Sequence, residues 1–577
     1  MNLGLSRSFI HMMCAVIFFG GMATSAAHAQ QQVPSTADPS RIEERVTPPS
    51  REWQRLEQAA PTPQAVPMTP DGAEELRFVL QSLSIEGMTA YSNAEIAPLY
   101  ARYIGEEISV ATLFQIMGQL QQKYLEDGYT LTKVFIPNQN IEGGDAKLLV
   151  VEGYVAEVEI DQKIPYSAVI EDARLRILNM HPLNTIALER LLLVLNDMPD
   201  LNVSAVLASI KTTEPTNVPQ GAVRLLLQKN DKPYSYGKVA FDNYGSVFSG
   251  PYQVRGLAQA PHVFVPYGQM SLMLLGATQL PEQRYGALSY EMPVFGASGT
   301  TLSLSGTIAR TEPGSNLDPL DVQGRSESIA GNISYPLIKQ RAEELNIDAG
   351  FEFKDSKTDL LGERLYDDRQ RILSAGMNYN FSDSLFGLNI FDIHFSKGLN
   401  ILGVREKGSV DLSRADGHPD FSKFNMAAGR LQALPENFEA YVMLTGQYSN
   451  TPLLSSEEFG FGGDQIGRGY NPSEIAGDRG MSASLEIRYK SMVEYEGWNV
   501  AIQPYGFFDI GKVWNIDNDD TTHMSGASTG IGSRFNVNNQ WDSDVSLAFP
   551  LTRHAENPPK YSGKYGPRLM FSLSRKF

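Results

Sequence analysis

The sequence predicts an α+β region followed by an all-β region that closes as a transmembrane barrel. Three observations carry this. Apolar residues at helical spacing, such as Leu113, Met117, Leu120 and Tyr124, occur only before Pro233. Beyond it, short segments alternate apolar and polar residues between clusters of Gly, Asn, Asp and Ser. The chain then ends on a segment that carries Leu569, Phe571, Leu573 and a terminal Phe577 on one face, with Arg575 placed to snorkel at the membrane edge. Of 577 residues, 42% are hydrophobic and 20% charged. After the first thirty, no apolar run reaches the roughly 18 residues of a membrane helix. A net charge of -18 without a basic block argues against a nucleic-acid partner.

The elements follow in order. Residues 1–29 have the pattern of an export signal, with Arg7, an apolar stretch over 9–21, and Ala27-His28-Ala29 as the cleavage site. The only cysteine, Cys14, lies inside it, so the processed chain offers no disulfide, thiolate zinc site or cysteine nucleophile. Residues 30–75 are a Pro-rich segment and linker whose prolines forbid one continuous helix. Short helical pieces are expected over 40–46 and 50–59. Residues 76–153 and 154–232 then repeat one pattern, β-α-α-β-β. The first unit predicts a strand over 78–87, helices over 93–103 and 110–127, and strands over 131–136 and 146–151. The second predicts a strand over 155–160, helices over 168–178 and 185–195, and strands over 203–210 and 222–227.

Residues 233–577 form the expected barrel. Leu302, Leu304 and Ile308 alternate with Ser and Thr; Phe391, Ile393 and Phe395 alternate with Asp392, His394 and Ser396; Leu485, Ile487 and Tyr489 alternate with Glu486, Arg488 and Lys490. One apolar face and one polar face suit lipid outside and water inside. At about 20 residues per strand and connection, the region holds roughly sixteen or seventeen antiparallel strands. Residues 451–480 lack alternation and are rich in glycine, as a long functional loop would be. Val500, Ile502, Phe508 and Ile510 share one phase, so Asp509 faces the lumen, where a carboxylate shielded from water wants a cationic partner.

Catalytic patterns fail on context. Gly526-Ala527-Ser528-Thr529-Gly530, followed by Asp542 and His554, has the order of a hydrolase triad. The serine, however, precedes a predicted strand over 531–537 where a nucleophile elbow needs a helix. The eight histidines form no zinc motif, and Gly460-Phe461-Gly462-Gly463 lacks the features of a nucleotide loop. Neither an enzyme nor a cofactor is expected.

At this point the chain resembles the two-partner secretion transporters of the outer-membrane protein-assembly superfamily, over nearly all of its length after the signal. The repeats resemble two polypeptide-transport-associated (POTRA) domains. The junction motif is carried by residues 134–139, with Pro137 and Gln139, and by residues 148–155, with Glu152 and Gly153. Phe241-Asp242-Asn243-Tyr244-Gly245-Ser246 resembles the barrel entry. Ile466-Gly467-Arg468-Gly469-Tyr470 is similar to the tip of the family's lumen-folded loop, and Phe507-Phe508-Asp509-Ile510-Gly511 to its Phe-x-Asp-x-Gly wall motif. The resemblance implies that Arg468 and Asp509 pair. The family's usual Val is Gly467 here, Pro472 and Ser473 stand where a second aromatic is common, and Pro48 and Pro49 divide the segment that would form a plug helix.

The resemblance further implies a Gram-negative outer-membrane pore with periplasmic POTRA domains. It would export one dedicated, unfolded protein bearing an N-terminal secretion domain. Outer-membrane lipid, the barrel assembly machinery and periplasmic chaperones would be its other partners. An insertase of the same superfamily is the alternative, disfavoured because only two POTRA domains fit before Pro233. A solute porin does not need residues 76–230, and an adhesin would need a passenger.

Overall fold

The computed structural model describes residues 34–43, 69–141, 143–210, 220–230, 234–516, 522–552 and 566–577. The signal at 1–29, the helical piece over 50–59, Pro48, Pro49 and His554 lie outside the described residues.

In the first unit, Ser82–Glu86 runs parallel to Asp145–Val151, and Lys133–Phe135 pairs antiparallel with the other edge of Asp145–Val151. Helices α1 (Asn93–Tyr100) and α2 (Val110–Glu126) cover the sheet. Leu113, Ile116, Leu120 and Tyr124 of α2 are buried against Leu83, Ala146, Leu148 and Val150, as their spacing requires. The strand expected over 78–87 is two strands. Arg77–Val79 pairs with Glu107–Ser109, and the chain then crosses sheets, Leu80 N–H reaching Glu106 O (3.0 Å) and Gln81 N–H reaching Gly144 O (2.8 Å). A capping box of Ser92 and Glu95 starts α1. The expected helix over 93–103 ends early, its last turn, Ala101–Tyr103, being 3-10. Pro98 removes one intrahelical N–H just before this change.

Glu152 directly follows the last strand of this unit and is buried. It accepts the N–H groups of Thr89 (2.8 Å) and Ala90 (2.9 Å), the Thr89 hydroxyl and the Tyr124 hydroxyl (2.7 Å). Burial by itself raises its pKa, but these donors outweigh burial and hold the carboxyl below the usual range. A depressed folded-state pKa contributes stability above the unfolded value, lost as pH falls through the folded one. Glu152→Gln is therefore expected to destabilise the first unit by about 1–3 kcal/mol at neutral pH. The deficit should shrink below the ordinary carboxylate range. Hydrogen exchange of α2 amides in the full-length protein, at neutral and acid pH, measures both; a pH-independent deficit contradicts the assignment.

The second unit repeats the arrangement. Tyr154–Ile160, Ala222–Lys229 and Val203–Ala208 form the sheet in that order, with α3 (Ala168–Leu178) and α4 (Thr185–Asn196) against it. Its buried core includes Ile170, Ile177, Leu191, Leu195 and Leu225, and also Tyr267 and Ala297 from two barrel turns. The unit is thus locked to the barrel. Tyr267 Oη donates to Pro165 O (3.0 Å), Ala297 N–H to Asp172 (2.8 Å), and Arg190 to the Pro336 and Leu337 carbonyls, while Lys339 pairs with Asp197 (2.7 Å).

Strands Gly237–Asp242 through Arg568–Lys576 pair antiparallel in chain order and close first to last. Arg479–Tyr489 and Ser491–Tyr495 act as one strand broken at Lys490, so the barrel has sixteen strands. The apolar phase faces outward: Leu304, Ile308, Phe391, Ile393, Leu485, Ile487, Phe508, Ile510, Leu569 and Leu573 are all exposed, as lipid contact demands. The Arg575 guanidinium stacks on Trp541 and Phe577 at the periplasmic edge. The closing ladder joins Ser572–Lys576 to Lys238–Asp242. Above it, the Asn243 side chain takes over, donating to Leu569 O and accepting from Phe571 N–H (2.8 Å each). Gly526–Gly530 lies inside the strand His523–Val537, with no strand-turn-helix elbow. Asp542 is held by Lys238, Lys576 and Asn536.

Candidate functional site: a loop and a segment held in the lumen

Residues 450–478 leave the outer end of the barrel and fold back inside. Alternation is weak there, yet a small hairpin forms, Phe459–Phe461 pairing with Ile475–Gly477, and strand structure resumes at Arg479 rather than after Gly480. Phe459, Phe461, Tyr470 and Ile475 bury themselves against Val513 of the wall. Gly511 makes this possible: a Cβ there would lie 2.2 Å from the Phe461 ring.

The tip residues meet three adjacent strands. Arg479–Tyr489, Trp498–Trp514 and His523–Val537 place Ser484 beside Asp509, and Asp509 beside Ser528, in register. Asp509 is fully buried. It accepts Arg468 in a bidentate pair, Nε at 2.9 Å and Nη2 at 2.7 Å. It also accepts the N–H groups of Gly467 (3.0 Å) and Arg468 (3.1 Å) and the Ser484 hydroxyl (2.8 Å). The Arg468 guanidinium lies 3.6 Å from the centre of the Phe507 ring, a cation–π contact. Tyr470 is buried and its hydroxyl donates to Ala527 O (3.0 Å). Arg568 of the last strand donates to Tyr470 O and to Gly245 O (3.1 Å), linking the tip to the seam where the first and last strands meet. Gly467 has φ +84°, and a Cβ would lie 2.9 Å from the Gly462 backbone. Its backbone explains why Val is absent here.

Of the residues singled out from sequence, Arg468, Gly469, Tyr470, Phe507, Asp509 and Gly511 therefore converge on one patch of wall. Pro137, Gln139, Glu152 and Gly153 lie far away in the periplasmic region. Gln139 clamps Lys147 through both its amide atoms (2.9 and 2.7 Å). Gly153 O accepts Leu183 N–H (2.8 Å), joining the two units.

Sequence reasoning missed a second anion. Glu486 is buried, pairs with Arg468, and also takes Arg488 (2.6 Å) and Arg534 (3.1 Å). Arg534 in turn reaches Asp544 (3.1 Å). Its luminal phase on the strand beside Asp509 was a signal for this role. The root of the loop carries no such signal. Buried Asp478 accepts Leu453 N–H (2.7 Å) and Ile516 N–H (2.8 Å) and pairs with Arg414 from the outer loop 399–421. Glu457 sits between Lys354 (3.2 Å) and Lys423 (2.7 Å).

The N-terminal segment also lies in the outer lumen, against the wall and the folded-in loop. The helix expected over 40–46 is seen only to residue 43. Two 3-10 turns, Ser35–Ala37 and Pro39–Arg41, lead into the helical residues Ile42 and Glu43, and the rest of that piece lies outside the described residues. Asp38 caps the second turn. Ala37 packs on Phe248, Leu317 and Val322, and Ile42 on Leu275, Tyr285 and Ala309. Arg41 is fully buried, donates to Ser455 O (3.2 Å) and Glu458 O (3.0 Å), and pairs with the Glu458 carboxylate (3.5 Å). Arg414 holds the other oxygen of that carboxylate (3.2 Å).

The family model of the haemolysin secretion/activation proteins ShlB/FhaC/HecB matches residues 221–533, and that of the ShlB-type POTRA domain residues 78–153. The chain is similar to the heme/hemopexin transporter protein HuxB of Haemophilus influenzae (strain 86-028NP), 22% identical, with 86% of this chain and 87% of that protein covered. It is 23% identical to the hemolysin transporter protein ShlB of Serratia marcescens over 89% of this chain and 90% of that one. The solved structure of CdiB from Escherichia coli superposes with a TM-score of 0.74 at 16% identity, covering 90% of this chain and 94% of the other.

Proposed function

Because the chain belongs to the haemolysin secretion/activation protein family, and is thus an outer-membrane transporter of two-partner secretion working with a secreted partner protein, we propose that docking and release of the loop tip gate its export. The observation that carries this is the dehydrated clasp of Arg468 on Asp509 in the lumen, where loop and N-terminal segment together stand in the client's path. A passive solute porin has no use for such a filling.

In this reading the protein catalyses no reaction. After removal of residues 1–29, periplasmic chaperones and the barrel assembly machinery bring the chain to the membrane. Residues 30–75 link the lumen segment to POTRA domains at 76–153 and 154–232, and 233–577 form the pore with its loop at 451–480. The client arrives unfolded and presents an N-terminal secretion domain. The edge strands Val203–Ala208 and Lys133–Phe135, each paired on one side, offer backbone groups to an extended segment. Folding outside then supplies direction.

A reversible lock tests the gate. A Cβ on Gly469 would lie 2.9 Å from Ser528 Cβ, close to the roughly 3.5–4.5 Å a disulfide adopts. Gly469→Cys with Ser528→Cys is expected to block export when oxidised and to recover on reduction, the reduced protein serving as its own reference. Equal export by the fully cross-linked and reduced forms rules out tip movement.

A further inference from the structure

We infer that the second periplasmic unit rests on the inner leaflet of the outer membrane, with α3 lying at the headgroup boundary. The placement of α3 comes first. Pro165, just before the helix, is bonded to Tyr267 in the periplasmic turn 262–268. Seven residues on, Asp172 is bonded to Ala297 in the next periplasmic turn, 294–300. These turns are two strand spacings apart, about 10 Å, a distance bridged by the non-helical residues 165–167 and the first turn of α3. The segment 165–172, which carries the start of α3, therefore follows the rim of the barrel.

The rim at this place is aromatic and uncovered. Phe264 is 82% exposed and Phe295 73% exposed. Both have positive φ, 61° and 58°, an unusual backbone for aromatic residues. Phe264 packs edge-on against Tyr290. They continue downward the lipid-facing stripe of Leu272, Leu288 and Leu304. On the helix side, Tyr166 is 78% exposed, and Leu175, one turn from Asp172, is 45% exposed. Apolar groups of both units thus gather where the lipid surface must end. Aromatic side chains favour that boundary, one part apolar and one part wet.

Charge selects the occupant. Arg174 pairs with Glu171 (2.6 Å) and Arg176 with Asp172 (2.8 Å) within the helix. The face offers no net charge to steer a charged client, whereas a lipid interface needs only apolar and amphipathic groups. The contact would fix the posture of the unit beneath the pore and leave the edge strand Val203–Ala208 available.

Depth measurement decides it. Since the only cysteine, Cys14, lies in the export signal, single introduced cysteines allow single nitroxide labels on the processed protein in phospholipid nanodiscs. Labels at Tyr166→Cys and Leu175→Cys are compared with Phe264→Cys at the rim and Phe135→Cys on the first unit, where Phe135 is 47% exposed. The expected result is a ratio of oxygen to nickel-chelate accessibility several-fold higher at 166, 175 and 264 than at 135. A label at 166 or 175 that matches 135 overturns the inference. A water-like ratio at 264 overturns it too, because the rim would then lie outside the membrane boundary.

Discussion

Arg468→Ala is expected to reduce export at least tenfold at matched outer-membrane levels of the transporter. The barrel itself should insert and stay heat-resistant, since its ladders do not depend on this side chain. The size follows from burial. Arg468 and Asp509 are both almost completely shielded, and Asp509 spends its two oxygens on five donors of which two belong to the guanidinium. Removing the cation leaves Asp509 buried and uncompensated, a cost of about 3–5 kcal/mol. Lumen water entering the vacated space lowers that cost. Glu486 keeps Arg488 and Arg534, so it is not stranded. Asp509→Ala leaves Arg468 one anion and should be the milder change. Arg468→Lys should rescue only in part, because an ammonium cannot reach Asp509, Ser484 and Glu486 in one plane. In the double variant Arg468→Ala/Asp509→Ala the defect should barely exceed that of the worse single, as for groups acting through one contact. Export of the client, normalised to transporter in the membrane, measures this. Wild-type export by Arg468→Ala removes the clasp from transport.

Arg41→Ala should raise the ion conductance of the purified transporter in planar bilayers about tenfold or more. Arg41 is the one charged side chain that ties residues 34–41 to the folded-in loop among the described contacts, and it is fully buried there. Losing these hydrogen bonds to charged and carbonyl oxygens costs the docked state about 1–3 kcal/mol, which is roughly a tenfold shift per 1.4 kcal/mol. Glu458→Gln is the sharper change. It weakens Arg41 and Arg414 together, because the two guanidinium groups share one carboxylate. The larger current should therefore come from Glu458→Gln, with Arg414→Ala giving an intermediate one. Unaltered currents in Arg41→Ala would mean that the apolar contacts of Ala37 and Ile42 alone keep the segment in place.

Much of the architecture was legible in the sequence because two periodicities are enforced by solvent. Helix α2 shows its buried face at 3.6-residue spacing. The barrel strands show theirs at period two, with the polarity inverted by lipid, so Phe508 and Ile510 point out and Asp509 points in whatever the tertiary details. The length of the region, at about 20 residues per strand and connection, set the count at roughly sixteen or seventeen strands, and the pairing of Arg468 with Asp509 was implied by the family resemblance, the alternation placing only Asp509 on the luminal side. Boundaries were less legible. The split at Leu80 depends on where Glu106 and Gly144 offer their carbonyls, and these are set by distant chain.

What the sequence by itself determined is the local chemistry: which faces are apolar, which segments extend or coil, and which charges sit on the luminal phase. Only the tertiary structure decided how those charges are shared. Glu486 completes the Arg468 site, Glu458 joins two arginines from segments over 370 residues apart, and Tyr267 and Ala297 of the barrel become part of the core of a periplasmic domain. Such pairings are chosen by closure of the barrel, which brings remote stretches into one water-poor space where an unpaired charge is too costly to leave. No periodicity records that choice, because it is made by the partner and not by the segment.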